Sequence, residues 1–326
     1  MKSTRRSFLK SAGALTGGLV VSGFHSASAR GLFSEDLTSR TLWAMGMPVR
    51  YSVPPEASSS IAKSFAAVTR IDEHLSIYKP ESAVSRLNLG LSVADIDLVK
   101  VCKAARQFGE LTEGYLDVTV LPVLRNLGFR PGELSPSSTS HIDFRKLRVT
   151  DSDVHTVGNV QVDLGGIAKG YAVDEATREL RGEQVESGLI EAGGDIYALG
   201  SRPDGSSWTI GIRDPRNPAR LFATVRLTNS AVATSGGYFD SHVVNGSDAS
   251  HLINPKTGES VSHVLSATIV APSAMTADAL ATATSVQPRA QAQALIESLK
   301  EVEGVWIYSD GSIFVTPGLR DKITLL

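Results

Sequence analysis

The alternation of apolar and polar positions divides the chain into a helix-bearing first half and a strand-rich second half. A first strand is expected in "RTLWAMGMPVRYSV", residues 40–53, halted by Pro54-Pro55. Ile61, Phe65, Val68 and Leu75 then recur at helical spacing within 57–78, with serines placed to cap. A second helix is expected over 93–114. Ile96, Val99, the Lys103 stem and Ala105 fall near one face of it, and Gly114 stops it. Residues 131–140, "PGELSPSSTS", have the composition of a surface loop. From 146 onward short strands dominate. "KLRVT", "VHTV" and "VQVDL" read as a meander, and a helix runs from about Gly166 to Arg181. "SGLIEA", "DIYALG", "WTIGIR", "FATVRLT", "AVATSG" and "VLSATIVA" follow, several with period-two alternation. Two helices near 274–286 and 289–300 precede "GVWIYS" and "SIFVT". So many strands with few helices between them argue against a doubly wound parallel sheet and favour an α+β fold, mainly antiparallel sheets flanked by helices.

The N-terminus does not share this pattern. Arg5-Arg6 precede Ser7-Phe8-Leu9-Lys10, a weakly apolar run broken by glycines, and the A-x-A segment Ala27–Ala29. This resembles a twin-arginine export signal, and the run is too short and too glycine-rich to span a bilayer well. Residues 1–29 are therefore expected to be cleaved after export to the periplasm by the twin-arginine machinery, leaving 30–326 as one catalytic unit. Composition changes the picture little. Of 326 residues, 42% are hydrophobic and 20% charged, which fits a globular chain with a sizeable core. The net charge is −2, and residues 1–29 hold four basic residues and no acid, so the remainder carries −6. That gives no electrostatic basis for nucleic-acid binding. Cys102 is the only cysteine, which excludes an intrachain disulfide; its apolar neighbours place it as a small buried group on a helix.

Several common chemistries lack their motifs. The chain has no G-x-G, no Gly-Lys pair, no H-E-x-x-H, no C-x-x-C and no G-x-S-x-G. Three other segments carry candidate chemistry. In "APSAMTADALATATSV", Asp278 and Thr282 lie one helical turn apart and offer two hard oxygen ligands of the kind Mg²⁺ takes; taken alone, the pair reads first as a solvated surface acid and a filler threonine. In "VDLGGIAKG", Gly165-Gly166 let a ligand approach the backbone, a free carbonyl there offers a third oxygen, and Lys169 adds a charge suited to phosphate. An ordinary strand–helix turn explains that segment equally well. In "SHLINPKTGES", His251 ends a short strand, where it fits a general base or a structural histidine.

Seven segments in order, "HLSIYKPESAVSRLN", "GYLDVTV", "VDLGGIAKGYAVDEA", "IEAGGDIYALG", "TSGGYFD", "HLINPKTG" and "TADALATA", resemble the ApbE family of FAD:protein FMN transferases across roughly residues 40–315. The resemblance implies the family's α+β fold and Mg²⁺-dependent cleavage of the FAD pyrophosphate. FMN would pass to a threonine hydroxyl of a target flavoprotein, a redox-driven ion-pump subunit or another exported protein, with release of AMP. It also implies roles by position. Met45, Tyr78, Tyr115, Leu116, Asp117, Asp163, Lys169 and Ile253 fall on FAD-contacting positions. Gly166, through its carbonyl, Asp278 and Thr282 fall on the metal ligands, and His251 on the general base. Two features depart from the pattern of some members: glycine stands at 166 where others have serine or threonine, and Ala281 where others have a second acid. Two other readings stay open at this point, an FAD pyrophosphatase using the same site and a flavin-binding protein without catalysis.

Overall fold

In the computed structural model of the protein, which describes residues 19–21, 37–132, 141–237, 241–244 and 247–326, the strand expected over 40–53 is a hairpin. Met45 (φ 53°) and Gly46 (φ 73°) both take the left-handed region, which closes a two-residue turn whose twist matches the flanking strands. The apolar alternation runs through the turn without a break, which hides it from a periodicity reading.

The strands, in chain order, are β1 (Leu19–Val21), β2 (Thr38–Ala44), β3 (Met47–Val53), β4 (Leu147–Val149), β5 (Val154–Thr156), β6 (Gly188–Ala192), β7 (Asp195–Leu199) and β8 (Trp208–Asp214). They continue as β9 (Asn217–Leu227), β10 (Ser230–Ser235), β11 (Ser241–Val244), β12 (Ser247–Ser250), β13 (Val264–Ala271), β14 (Glu303–Tyr308), β15 (Ile313–Val315) and β16 (Ile323–Leu325). The helices are α1 (Ile61–Leu75), α2 (Ala83–Asn88), α3 (Ile96–Leu111), α4 (Leu121–Asn126), α5 (Ala168–Gly182), α6 (Ala274–Val286) and α7 (Arg289–Ser298).

Eight strands form one sheet in the order β15-β14-β13-β10-β7-β6-β3-β2, every neighbouring pair antiparallel. A second sheet has the order β1-β8-β9-β16. The expected fold class, α+β with mainly antiparallel sheets, is what the chain adopts. Helices cover one face of the large sheet and the smaller sheet covers the other. Side-chain alternation sorts the strands between two cores. On β7, Tyr197 and Leu199 face the helices, while Ile196 and Ala198 join Trp208, Ile210 and Val225 of the second sheet. Both faces are covered, so β6 and β7 are buried at every position.

Helix α6 lies against β10, β13 and α5. It is apolar nearly all round, as a helix buried inside a protein must be, and its alanines permit close approach from several sides. Its N-terminus is held twice. Ser273 accepts a hydrogen bond from the Thr276 amide, and Asp174 of α5 accepts from the Ala274 and Met275 amides at 2.7 and 2.9 Å. Gly170 of α5 sits directly against that end: a methyl group built on it would come within 2.2 Å of the Ala274 carbonyl oxygen.

Two further expectations need correction. On α3 the buried residues include Leu98, Val101, Cys102 and Ala105, whereas Ile96 is 63% exposed and Lys103 faces solvent. Val99 and Ala105 are buried as expected, so two of the four residues proposed for that face lie in the core and two do not. The third strand of the proposed meander, "VQVDL", is only a bridge between Gln161 and Val120. The Asn88 side chain binds both the amide and the carbonyl of Val162, so those groups are not available to a ladder. Asp163 therefore ends no strand. The expected export segment lies outside the described residues except for Leu19–Val21, which pairs with β8. Of the loop expected at 131–140, residues 133–140 also lie outside them.

Candidate active site

Helix α5 begins without a side-chain cap of its own. Its free N-terminal amides are met from another part of the chain: the Gly170 amide donates to Asp278 Oδ2 of α6 at 3.1 Å. A carboxylate at a helix N-terminus is favoured by the helix dipole as well as by the hydrogen bond. Asp278 is 2% exposed, so it is not a solvated surface acid. Its other oxygen, Oδ1, accepts from Lys169 Nζ at 2.6 Å. One turn further along α6, Thr282 faces the glycine turn. A methyl group built on Gly166 would come within 2.9 Å of Thr282 Cγ2 and 3.1 Å of its Oγ1. The Thr282 hydroxyl also lies 3.3 Å from that of Ser235 on β10. Two segments more than 100 residues apart in the chain thus meet at Gly166, Lys169, Gly170, Asp278 and Thr282. Glycine at 166 fits the crowding by Thr282.

A second acid joins them, one to which the sequence motifs assign no role. Asp195 opens β7 just after the Gly193-Gly194 turn, is 1% exposed, and lies 3.1 Å from Lys169 Nζ through Oδ2. That buried oxygen has the Lys169 ammonium as its cationic neighbour. Burial, then the charge of Asp278, raise the Asp195 carboxyl well above its ordinary pKa, against the pull of Lys169. For Lys169, burial works against the charged form, but Asp195 and Asp278 outweigh it and raise the ammonium's pKa. A sequence signal for Asp195 does exist. A lone acid opening an otherwise apolar strand needs a buried partner.

The glycine turn is braced from its other side. Asp163 accepts from the Gly165 amide at 2.6 Å and from Arg130 Nε at 2.6 Å. Arg130 brings with it the segment after α4, where Phe129 lies edge-on to the His251 ring with centroids 6.5 Å apart. His251 follows β12, as expected of a residue ending a short strand. Ile253 is buried with Val123, Leu124 and Phe129. The loop then reaches Tyr115, whose ring carries Lys256 Nζ at 4.0 Å. Tyr115 and Leu116 are buried. The Asp117 carboxylate is engaged within the chain: it accepts from the Thr119 amide and hydroxyl and from the Phe144 amide. Burial raises its pKa against those bonds. Met45 occupies the β2–β3 turn and packs on the core, and neighbouring Met47 touches the Gly193 turn that carries Asp195. Tyr78 is 63% exposed in the segment between α1 and α2, and α2 in turn holds Val162 through Asn88.

The donor set suits a small hard cation. Asp278, the Thr282 hydroxyl and the Gly166 carbonyl are oxygen donors, and the buried Asp195 carboxyl shares the Lys169 ammonium with Asp278. Among the described residues one other His/Asp group could hold a metal, His74 with Asp95 and Asp97, the histidine Nδ1 being 3.0 Å from each carboxylate. Asp97 is already bound by the Tyr171 hydroxyl at 2.7 Å and by Arg70 at 3.3 Å, which makes this group an internal ion-pair network.

Comparison with known proteins gives one answer. Residues 45–306 match the model of the ApbE family. The chain is 33% identical over 241 residues to an FAD:protein FMN transferase of Haemophilus influenzae, covering 67% of this chain and 69% of the relative. It is 31% identical over 276 residues to one of Vibrio cholerae, covering 77% and 82%. Among solved structures, the ApbE protein of Thermotoga maritima superimposes with a TM-score of 0.81 at 29% identity, covering 88% of this chain and 99% of that one. The flavin transferase ApbE of Vibrio cholerae superimposes at 0.76 and 26%, with the same coverage.

Proposed function

The chain belongs to the ApbE family, and from that premise and the site's geometry we infer that it is an FAD:protein FMN transferase. We propose in addition that it works with Mg²⁺, modifies a threonine hydroxyl and releases AMP. The observation that carries this reading is the meeting of the glycine turn with α6. It gathers a carboxylate, a hydroxyl, an ammonium and helix N-terminal amides around one point.

Gly166, Asp278 and Thr282 would hold the metal. When bound, it would supply charge to offset what builds up on the pyrophosphate as the P–O bond breaks. The chain's own groups do the rest. Lys169 would turn to the anionic phosphates once FAD is bound, close to the N-terminus of α5. Arg130 and Asp163 keep the turn in its conformation. His251 accepts the proton of the incoming threonine hydroxyl as its oxygen bonds to the FMN phosphorus. A phosphodiester forms, the bridging P–O bond breaks and AMP departs. Met45, Tyr78, Tyr115, Leu116 and Ile253 would contact FAD; of these Tyr78 is exposed, and Tyr115, Leu116 and Ile253 are buried.

The acceptor would be an exported flavoprotein, a subunit of a redox-driven ion pump among them. Residues 1–29 would direct the enzyme to the periplasm by the twin-arginine pathway. Incubation with FAD, Mg²⁺ and a candidate acceptor domain tests the reaction. A fluorescent acceptor band in a denaturing gel supports transfer. Free FMN alone means a pyrophosphatase, and unchanged FAD a flavin-binding protein. Mass measurement of the exported protein's N-terminus tests the signal, with Arg30 as the expected first residue.

A further inference from the structure

The Lys169 ammonium occupies the same carboxylate that the metal requires. It lies 2.6 Å from Asp278 Oδ1 and 3.1 Å from Asp195 Oδ2. Its stem runs past the Gly193 turn, where a methyl group built on the glycine would lie 3.6 Å from Lys169 Cδ. Both carboxylates are almost fully buried, while the lysine side chain keeps 27% of its exposure. The acids are thus fixed in the interior, and the cation reaches them from the solvent side on a long, flexible stem.

We propose that Lys169 is a built-in counter-cation that competes with the metal for Asp278, and that Asp195 keeps the ammonium in place until FAD arrives. Two buried carboxylates facing one another repel, and one ammonium between them relieves most of that repulsion. A divalent ion arriving alone must break the 2.6 Å pair. The FAD pyrophosphate offers the ammonium a second anion, so substrate opens the metal's carboxylate by drawing Lys169 away from it. Metal capture would then follow substrate, and the enzyme without FAD would hold the ion weakly. This inference rests on the metal reading of Asp278 given above.

The test is a titration with Mn²⁺ in the absence of FAD, free ion being read by electron paramagnetic resonance. The proteins are wild type, Lys169→Met, Lys169→Gln and Asp278→Ala. Removing the competing charge is expected to tighten Mn²⁺ binding by roughly tenfold or more in both lysine variants, since a unit charge within hydrogen-bonding distance is lost. Asp278→Ala is expected to lose the site. Equal or weaker binding by a folded Lys169 variant, with binding still dependent on Asp278, overturns the competition alone. Binding unaffected by Asp278→Ala overturns the metal reading and the inference with it. Wild-type protein provides a measurement independent of these variants. Acetylation of Lys169, followed by mass spectrometry, should rise when Mn²⁺ is added. It should also rise without metal in Asp195→Asn, where one of the two holds is gone. Labelling that ignores both changes contradicts the proposal.

Discussion

Replacing Gly170 with alanine pits two energies of known sign against each other. Inside a helix, alanine is better than glycine by about 1 kcal/mol. Helix propensity alone therefore predicts a more stable protein. The structure predicts the reverse. A methyl group at this position lies 2.2 Å from the Ala274 oxygen, 2.5 Å from the Ala274 carbonyl carbon and 2.7 Å from Met275 Cα. Comfortable contacts between such atoms begin near 3.5 Å. All three neighbours are backbone, so no side-chain rotation relieves the overlap. The N-terminus of α6 must instead move away from α5, and Asp174 opposes that movement through its bonds to the Ala274 and Met275 amides. Overpacking of a tight contact costs typically ~1–3 kcal/mol, and here the upper half of that range applies. Subtracting the propensity gain leaves a net loss of about 1–2 kcal/mol. Urea unfolding followed by circular dichroism reads it as a lower midpoint at unchanged slope. The same displacement separates the Gly170 amide from Asp278 and Gly166 from Thr282, so transfer activity should need more Mg²⁺. A variant as stable as wild type or more so would show that the α5–α6 contact is not the constraint described here.

Three other outcomes follow from the geometry. His251→Ala should retain FAD binding while single-turnover transfer slows by ~10²–10⁴-fold, the usual loss for a general base; near-normal transfer removes His251 from that role. Burial raises the Asp174 carboxyl to about 6 despite its two amide donors. The folded protein thus holds a proton that the unfolded chain has released, and this group adds stability as pH falls from above 6 toward 4, a gain absent at higher pH. Between pH 7 and 4.5 wild type should gain on the order of 1–2 kcal/mol relative to Asp174→Asn; parallel pH profiles in chemical denaturation would refute it. Cys102 is fully buried and its thiol pKa is pushed up by burial, so a colorimetric thiol reagent should label it only after unfolding.

How much of this was legible before the fold was known depends on what each residue's signal requires. The strands from 188 onward alternate clearly enough that their existence and antiparallel arrangement could be read directly. Sandwiching of the large sheet between helices and a second sheet could not, because burial on both faces of β6 and β7 depends on partners far along the chain. Thr282 and Asp278 were visible as a pair one turn apart. Their meeting with Gly166 depends on the α5–α6 contact, which no local pattern encodes. The role of Asp195 was missed because an acid after two glycines also reads as an ordinary turn; only its burial beside Lys169 distinguishes it. Arg130 was missed because a single arginine after a loop carries no signal until Asp163 is seen beside it. The β2–β3 turn is hidden because apolar residues continue across a boundary set by backbone geometry, and on α3 Ile96 and Lys103 face solvent while Val99 and Ala105 of the same expected face are buried.

The most direct measurement is covalent flavin on an acceptor threonine as Mg²⁺ is varied, for wild type, Asp278→Ala and Thr282→Ala. If one cation is gripped jointly by the 165–170 turn and α6, wild type should saturate with Mg²⁺, Thr282→Ala should require more of it, and Asp278→Ala should show no metal-dependent transfer. Transfer by Asp278→Ala that matches wild type at limiting Mg²⁺ would contradict the account.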